Sequence, residues 1–506
     1  MSLRFGTAGL RGPVREGPDG MNVDTVTRAT AGLADWLVRQ GERGAIVVVG
    51  RDARHGSAEF FTAATEVLAA AGFDVVALDE PGPTPLVAFA TRRLDAAAGV
   101  MITASHNPAG DNGYKVYVRG GAQLLSPADR EIEAAITAAP PAPAVPRRHL
   151  AADPRGAGIV AAYLARLDER FEPRPTGTVR IVLTAMHGVG GRLAVDALAR
   201  HGFHDVHVVA EQFAPDPDFP TVAFPNPEEP GATDLLLALA ADRGADLALA
   251  LDPDADRCAV GMRGDDGRWR MLTGDETGAL LGDAALDEWP VGAEPPVVAS
   301  SIVSGTLLHT LATARGARSV RTLTGFKWLV RAGEPLLYAY EEALGHCVDP
   351  VAVRDKDGIS AAVALARLAA AKGDLAATLE ELMTRHGRHL TAQRSLRVDD
   401  LNQIGAVMDH LRTDPPTSLA GIGVIAADLS TAPTGPRTDA VELTGRDEAG
   451  IALRIVARPS GTEPKLKYYA QVSAPAGADL EAGALETILV RALAELPGHP
   501  RREPPP

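Results

Sequence analysis

The chain has 506 residues, with 50 Lys and Arg against 65 Asp and Glu, so its formal net charge is −15 at pH 7. At roughly 150 residues per domain, this length predicts three or four domains, each able to bury its own core. The acidic balance argues against non-specific binding to nucleic acid or to an anionic membrane, because the field of the whole molecule repels polyanions. A small anionic ligand in a locally basic cleft stays possible.

The two cysteines, Cys258 and Cys347, lie far apart in the sequence and cannot build a disulfide framework, which suits a reducing compartment. The amino-terminal segment has no apolar core of signal-peptide length. No run approaches the roughly 18 apolar residues of a membrane span. We therefore expect a soluble, cytoplasmic protein that binds neither nucleic acid nor membrane.

The first part of the chain alternates strands and helices at the spacing of a parallel sheet. The Gly-rich segment RFGTAGLRG precedes an amphipathic helix with apolar residues at positions 26, 29, 33 and 37. A strand at 45–49, the loop GRDAR, a helix to about residue 71 and a strand at 73–78 follow. Arg51 and Arg54 in that loop are equally well interpreted as surface residues and as contacts to an anion.

The segment 96–118 is the first that suggests chemistry. An apolar run at 97–102 predicts a buried strand that ends in a loop carrying Ser105, and an alternating strand resumes at 114–118. A hydroxyl on a tight loop at the carboxyl end of a strand is where open α/β sheets place reactive groups. Ser105 is therefore a candidate nucleophile, although Ser-His-Asn-Pro is also ordinary turn sequence.

A Pro- and Ala-rich stretch at 140–154 predicts a linker, after which the alternation restarts with a helix at 159–171 and a strand at 179–183. The turn HGVGG that follows is interpreted as structural, because a lone Gly-rich turn is a weak signal for phosphate binding.

The next apolar strand ends at Leu251 and delivers Asp252, Asp254 and Asp256, followed by Arg257. Three carboxylates so close together repel one another unless a cation compensates, which indicates oxygen ligands for Mg²⁺. An EF-hand calcium loop is excluded, because positions 257 and 263, where it needs Gly and Glu, both hold Arg. A simple acidic turn is the alternative.

A third unit begins with a strand at 297–301 and a helix through residue 311. The segment TGFKWLVR brings Lys327, and a strand ending near residue 340 delivers Glu341 and Glu342, whose carboxylates suit sugar hydroxyls. The segment RDKDG at 354–358 places two carboxylates at a helix start, where the helix dipole favours them without any catalytic demand.

Beyond about residue 387 the pattern changes to a mixed α+β region, with a helix near 401–411 and strands near 422, 441 and 453. Its last motif, RPSGTEPKLKYY, concentrates groups that suit a phosphate dianion: Arg458, Ser460, Gly461, Thr462 and Lys465. The tail 497–506 is predicted to be disordered.

Taken in order, these motifs resemble those of the α-D-phosphohexomutase family. GTAGLRG resembles the family's opening motif, TASHNPAGDNGYK its active-serine loop, the aspartate triplet its metal loop, YEEALG its sugar-binding loop and RPSGTEPK its phosphate-binding loop. The resemblance implies three similar α/β domains with mixed, mostly parallel sheets, plus a smaller α+β C-terminal domain, around a central cleft. The expected domains are 1–150, 155–288, 295–390 and 395–496.

The resemblance also implies roles for individual residues. Ser105 would be the phosphoserine, with His106, Lys115 and Arg11 as further catalytic residues and Lys115 as acceptor of the sugar's proton. Mg²⁺ would be held by Ser105 and the three aspartates. The substrate, a sugar phosphate that passes through a sugar 1,6-bisphosphate, would contact the remaining motif residues: Arg257, Lys327, Glu341, Glu342, Arg458, Ser460, Gly461, Thr462 and Lys465.

The expected activity is the interconversion of hexose 1-phosphate and hexose 6-phosphate, with glucose or mannose as the sugar. Several motifs look most like the branch that also contains phosphopentomutases, and Ala343 and Leu344 depart from the common Glu-Glu-Ser-Gly loop, so a pentose phosphate is the alternative. A metal-dependent sugar phosphatase and a catalytically silent sugar-phosphate binder are two further hypotheses. The oligomeric state, monomer or homodimer, is left open.

Overall fold

The computed structural model describes residues 9–151, 153–171, 179–264, 266–290, 292–398, 400–433, 435, 437–460 and 465–498. Four sheets succeed one another along this part of the chain, and each has its own set of helices. Within these ranges no helix combines the length and the apolar character that crossing a bilayer requires.

The first unit is a six-stranded mixed sheet in the order β1-β5-β4-β2-β3, with β6 beside β5. Its centre, β4-β2-β3, is parallel, and β1 and β5 add antiparallel strands. The strands and helices are β1 (Leu10–Pro13), α1 (Val23–Arg39), β2 (Ile46–Arg51), α2 (Ser57–Ala70), β3 (Asp74–Ala77), α3 (Thr84–Arg93), β4 (Ala98–Ile102), β5 (Asp111–Val118), β6 (Ala122–Gln123) and α4 (Ala128–Ala138).

Strand β2 is apolar throughout its centre because helices cover both faces of the sheet. Val47 and Val49 pack into the cluster formed with α1 and α2, whereas Val48 points to the opposite face and packs with α3.

The second unit is a five-stranded sheet in the order β11-β10-β9-β7-β8, again with a parallel centre and antiparallel additions. A hairpin joins β10 to β11. Its elements are α5 (Pro154–Arg170), β7 (Ile181–Thr184), α6 (Gly191–Arg200), β8 (Val206–Val208), α7 (Ala210–Phe213), α8 (Asp234–Arg243), β9 (Leu247–Leu251), β10 (Cys258–Arg263), β11 (Trp269–Met271) and α9 (Gly274–Glu288).

The third unit is a four-stranded sheet in the order β13-β12-β14-β15, in which only the β14-β15 pair is antiparallel. Its elements are β12 (Val297–Ser301), α10 (Leu307–Ala314), β13 (Arg318–Thr322), α11 (Phe326–Leu329), β14 (Leu336–Glu341), β15 (Gly345–Cys347), α12 (Gly358–Lys372) and α13 (Leu375–His386).

The fourth unit is an antiparallel sheet in the order β16-β21-β20-β19-β18-β17, with two helices packed on one face. Its other face meets the third unit through Val456 and Tyr469, which pack on Ile302 and Val303. Its elements are β16 (Arg388–Arg397), α14 (Leu401–Thr413), β17 (Ser418–Leu419), β18 (Ile422–Asp428), β19 (Val441–Arg446), β20 (Ala452–Pro459), β21 (Lys465–Ala474) and α15 (Ala484–Glu495).

One continuous apolar core joins the first three units, since a single cluster includes Phe89, Leu249 and Leu308. Buried hydrogen bonds cross the same boundaries. Tyr117 of the first unit donates to Asp355 of the third (2.8 Å), and Tyr163 on α5 donates to Asp357, the residue that caps α12. The predicted fold class is confirmed, whereas the domain boundaries stay a prediction, and residues 499–506 of the predicted disordered tail lie outside the described residues.

Candidate active site

Ser105 lies in the loop between β4 and β5, with a left-handed backbone (φ 56°) and a side chain that is buried. Its N–H donates to Thr103 Oγ1 (2.8 Å). Its hydroxyl donates to Asp252 Oδ2 (3.2 Å) and lies 3.1 Å from His106 Nδ1. The sequence-predicted nucleophile of the first unit is therefore in direct contact with the aspartate loop of the second.

The aspartate loop follows β9, a strand whose five residues are all buried. Asp252, Asp254 and Asp256 are themselves at most 1% exposed, and one carboxylate oxygen from each lies within 4.8 Å of the others. Among the described residues, Asp254 Oδ1 and Asp256 Oδ1 are buried without a hydrogen-bond partner. Buried acceptors left unpaired in this way fit a hard divalent cation, which takes oxygen ligands.

The pKa values of the three carboxyls shift in different directions. Burial, together with the charges of the other two aspartates, raises the pKa of Asp252 well above its ordinary value. Burial also opposes ionisation of Asp254, but the neighbouring Lys115 ammonium outweighs it and lowers the pKa of that carboxyl. The neighbouring Lys115 thus compensates the charge of Asp254, whereas the repulsion within the triplet falls on Asp252.

Lys115 stands on β5, where it pairs with Met101 of β4, and its side chain is buried. Its ammonium donates to Asp254 Oδ2 (2.7 Å) and Asp256 Oδ2 (3.0 Å). The register of the β4-β5 pair therefore delivers both the serine loop and the lysine to the same aspartate loop, the serine to Asp252 and the lysine to Asp254 and Asp256.

The HGVGG turn packs directly against the aspartate loop. Val189 N–H donates to the carbonyl of Pro253 (2.9 Å), and a Cβ on Gly188 would lie only 2.3 Å from the Cα of Pro253. The close approach requires glycine there, in agreement with the structural interpretation of this turn. From the first unit, Thr84 donates its hydroxyl to Asp254 Oδ2 (2.6 Å), a contact that no sequence motif had indicated.

Two predicted arginines face the same site. Arg11 on β1 donates to Asn107 Oδ1 of the serine loop (3.3 Å), and burial lowers the pKa of its guanidinium while the aspartates counter that effect. Arg257 Nε lies 3.9 Å from Asp252 and 3.8 Å from Asp256. Both guanidinium groups can neutralise charge on a phosphoryl group bound beside Ser105.

Sequence analysis also missed Lys356, which lies in the segment interpreted only as a favourable helix start. Its ammonium lies 3.3 Å from Asp256 Oδ2 and 3.1 Å from Asp355 Oδ1. Although burial would lower the pKa of Lys356, the carboxylates of Asp256, Asp355 and Glu341 raise it above the ordinary value. Lys115 and Lys356 thus flank Asp256 from the first and third units.

Of the two predicted sugar-binding glutamates, Glu341 is the last residue of β14 and Glu342 follows it, and both bind neighbouring loops. Glu341 Oε1 accepts from Gly325 N–H (2.6 Å), two residues before Lys327, while Glu342 Oε2 accepts from the hydroxyls of Ser301 and Ser304 (both 2.8 Å). The Lys327 side chain is buried on α11, where burial lowers its pKa. Glu341 therefore joins the loop of Lys327 to the glutamate loop.

Ala343 and Leu344, which depart from the common Glu-Glu-Ser-Gly loop, have a structural role. Leu344 has a left-handed backbone (φ 64°), and its side chain is buried in an apolar cluster of the second unit. Its carbonyl accepts from Cys258 N–H (3.2 Å), and the Ala343 carbonyl accepts from Arg257 (3.0 Å). The glutamate loop is therefore tied to the end of the aspartate loop.

Arg458 and Lys465 lie at the facing ends of β20 and β21, and Ser460 N–H donates to the Lys465 carbonyl (2.8 Å). Gly461 and Thr462 lie outside the described residues. Burial raises the pKa of the Tyr469 phenol, in the same unit, well above its ordinary value; the charge of Glu342 adds to the rise and the charge of Arg458 opposes it.

Models of the phosphoglucomutase/phosphomannomutase family match this chain in three consecutive stretches. The α/β/α domain I matches residues 2–142, domain II residues 161–265 and domain III residues 273–386. The chain belongs to the phosphoglucomutase/phosphomannomutase family. It is accordingly an enzyme of the mutase class, an intramolecular phosphotransferase, and the resemblance inferred from the sequence motifs is confirmed.

Relatives of the family cover nearly all of the chain. A Haemophilus influenzae protein named "Probable phosphomannomutase" is 40% identical over 461 residues, 89% of this chain and 92% of that protein. Human phosphopentomutase is 36% identical over 527 residues, 94% of this chain and 86% of that protein. The crystal structure of a phosphoglucomutase/phosphomannomutase family protein from Burkholderia thailandensis shares the fold, with a TM-score of 0.73 at 21% identity over 98% of each chain.

Proposed function

We propose that this family member interconverts hexose 1-phosphate and hexose 6-phosphate, with glucose or mannose as the sugar, by way of a phosphorylated Ser105. The observation that carries the proposal is the contact between the Ser105 hydroxyl and Asp252, in a site that also holds the buried cations Lys115 and Lys356. Phosphoryl transfer depends on positioning and on neutralising charge, which this arrangement supplies.

The resident metal is proposed to be Mg²⁺, held by Asp252, Asp254, Asp256 and the phosphorylated Ser105. When bound, Mg²⁺ neutralises negative charge on the phosphoryl group. Arg11 and Arg257 would orient that group from the other side.

His106 and Lys115 are proposed to handle protons. Burial, reinforced by the nearby arginines, lowers the pKa of His106 well below its ordinary value, so its imidazole is neutral at neutral pH. Because the Ser105 hydroxyl donates to Asp252, a neutral imidazole that carries its proton on Nδ1 can donate a hydrogen bond to Ser105 Oγ at 3.1 Å. Lys115 would first have to release one ammonium proton to solvent. As the neutral amine it would then accept the proton of the attacking sugar hydroxyl as the new O–P bond forms and the bond to Ser105 Oγ breaks.

The rest of the substrate is proposed to lie across the cleft. Glu341 and Glu342 would accept hydrogen bonds from sugar hydroxyls, with Lys327 near them. The phosphate that does not react would be held by the phosphate segment, namely Arg458, Ser460, Gly461, Thr462 and Lys465. A bisphosphorylated sugar that turns round in the cleft would then present either phosphate to Ser105.

A pentose phosphate is the second candidate substrate, favoured by the 36% identity with human phosphopentomutase. Three 1-phosphates, those of glucose, mannose and ribose, should be compared by kcat/KM in the presence of Mg²⁺ and the matching sugar bisphosphate. We expect the highest value for a hexose. A clear preference for ribose 1-phosphate would replace the hexose proposal with the pentose one.

Release of inorganic phosphate separates a mutase from a phosphatase. We expect turnover of hexose 1-phosphate without stoichiometric release of phosphate, and a gain of one phosphoryl group on Ser105 by mass spectrometry. Ser105→Ala should abolish isomerisation while leaving substrate affinity within about tenfold, because the other binding groups remain. Undiminished turnover by that variant would remove Ser105 from its role. The oligomeric state and the cytoplasmic location stay predictions.

A further inference from the structure

Arg54 follows β2 and sends its guanidinium group into the serine loop, where its side chain is 1% exposed. Nη2 donates to the carbonyls of Ser105 and Asn107, at 2.6 Å in both cases. Nη1 donates to the carbonyls of Pro108 (2.8 Å) and Asp111 (3.1 Å). A single side chain thus binds four backbone carbonyls of one loop.

The Nε atom and the flat face of this guanidinium also have close neighbours. Its Nε lies 3.4 Å from Asp52 Oδ2, and Asp52 is itself held by the Ser57 hydroxyl (2.6 Å). The ring of Phe219, from the second unit, lies 4.8 Å from the Arg54 Cζ. Neither interpretation from the sequence, a surface arginine or an anion contact, describes this residue, because its donors are directed to backbone carbonyls.

These hydrogen bonds bear on the backbone conformation of Ser105. A non-glycine residue adopts the left-handed region only when its surroundings impose it. At Ser105 the carbonyl is held by Arg54, the N–H by Thr103, and the hydroxyl is left facing Asp252. Carbonyl oxygens that point at the guanidinium also cannot point at an incoming phosphoryl group, which they would repel.

We propose that Arg54 is a positioning residue for phosphoryl transfer: its guanidinium fixes the left-handed conformation of Ser105 and so directs Oγ at the aspartate loop. The inference rests on the proposed function, in which Ser105 is phosphorylated. Only a forked donor can serve four carbonyls in this way, since a lysine ammonium presents its three donors from one point.

The test compares Arg54→Lys with Arg51→Lys. Arg51 donates to the Asp79 carbonyl (3.1 Å), outside the serine loop, so its variant is a matched control. The readouts are kcat, KM, thermal unfolding and the rate at which hexose 1,6-bisphosphate phosphorylates Ser105, followed by mass spectrometry. For Arg54→Lys we expect kcat and the phosphorylation rate to fall by at least about tenfold, with KM within about threefold. Arg51→Lys should match the wild type.

A second variant distinguishes loss of the guanidinium group from loss of folding. Arg54→Ala removes the fork, and ethylguanidinium added to it should restore part of the phosphorylation rate in a saturable manner, whereas ethylammonium should not. A wild-type rate in Arg54→Lys, or equal effects of the two additives on folded Arg54→Ala, would overturn the role of Arg54. A wild-type enzyme that never phosphorylates Ser105 would instead overturn the proposed function, so the two failures are distinguishable.

Discussion

Ser105 Oγ and Asp252 Oδ2 lie 3.2 Å apart, although the two residues are 147 positions apart in the sequence and follow strands of different sheets. The contact exists because β4 and β9 both end at the same cleft. It joins the group proposed to carry the phosphoryl to the group proposed to hold the metal, so changes on either side should affect both properties.

Asp252→Asn keeps the size of the side chain but removes one negative charge beside Ser105. We expect kcat to fall by at least about a hundredfold, because both the metal site and the orientation of the hydroxyl are weakened. Steady-state kinetics over a range of Mg²⁺ concentrations measures the effect. Asp266→Asn, in the exposed hairpin of the same unit, is the control for the charge change and should leave kcat unaltered.

Removal of divalent metal should both silence the enzyme and lower its thermal stability. The repulsion among Asp252, Asp254 and Asp256 is relieved when a cation binds, and a ligand that binds only the folded state raises its stability. Differential scanning calorimetry with EDTA and with Mg²⁺ should show a higher Tm with Mg²⁺. The increase should be absent from Asp254→Asn. Full activity in EDTA would contradict the assignment of the triplet.

Lys356→Met should lower kcat by at least about tenfold, because it removes a buried positive charge between Asp256 and Asp355. The neighbouring lysine at the exposed end of α12 supplies the control, and Lys372→Met should behave as the wild type. Equal kinetics for the two variants would show that Lys356 plays no part in the reaction.

Leu344→Ala should loosen the glutamate loop from the second unit. Deleting a buried leucine side chain destabilises a protein by about 2–5 kcal/mol, measured as the free energy of unfolding in urea. The volume-conserving Leu344→Met should lose less than about 1.5 kcal/mol. We also expect KM for the sugar phosphate to rise in Leu344→Ala, since Glu341 and Glu342 immediately precede the tied segment. An unchanged KM in a destabilised variant would restrict Leu344 to packing.

We expect the Asp275 carboxyl to make the stability of the folded protein depend on pH. It accepts hydrogen bonds from Gly305 N–H (2.6 Å) and the Tyr340 hydroxyl (2.9 Å), and burial raises its pKa from 3.8 to about 6. Between these two values the folded state binds more protons than the unfolded state, so the stability contributed by this group falls as the pH rises from about 4 to about 6.

Asp275→Asn stays neutral and still offers an oxygen acceptor, so it should abolish that fall. At pH 7.5 we expect the variant to gain up to about 2 kcal/mol over the wild type, allowing for partial exposure of the carboxyl. Near pH 4 the gain should vanish. Urea unfolding at the two pH values measures it, and a gain of equal size at both would contradict the raised pKa.

Much of the local architecture and most of the candidate site follow from the sequence. The apolar run at 97–102 became β4 (Ala98–Ile102), and the strand before the aspartate triplet became β9, because a short apolar run bounded by turn residues has few alternatives to a buried strand. Ser105 and the three aspartates could be named in advance for the same reason. Reactive groups at the carboxyl ends of such strands can be recognised from two features of the sequence. These are the apolar run that precedes them and the chemical type of the residues themselves.

Only the tertiary structure decided which strand ends meet. The roles of Thr84, Arg54 and Lys356 depend on contacts across long sequence separations, as between Thr84 and Asp254, which are 170 positions apart. Hydrophobic periodicity reports whether a residue is buried, not what it is buried against, so a threonine at a helix start or a lysine between two aspartates carries no signal of its own. The packing of the three α/β units on one core brings these residues to the serine and the aspartates.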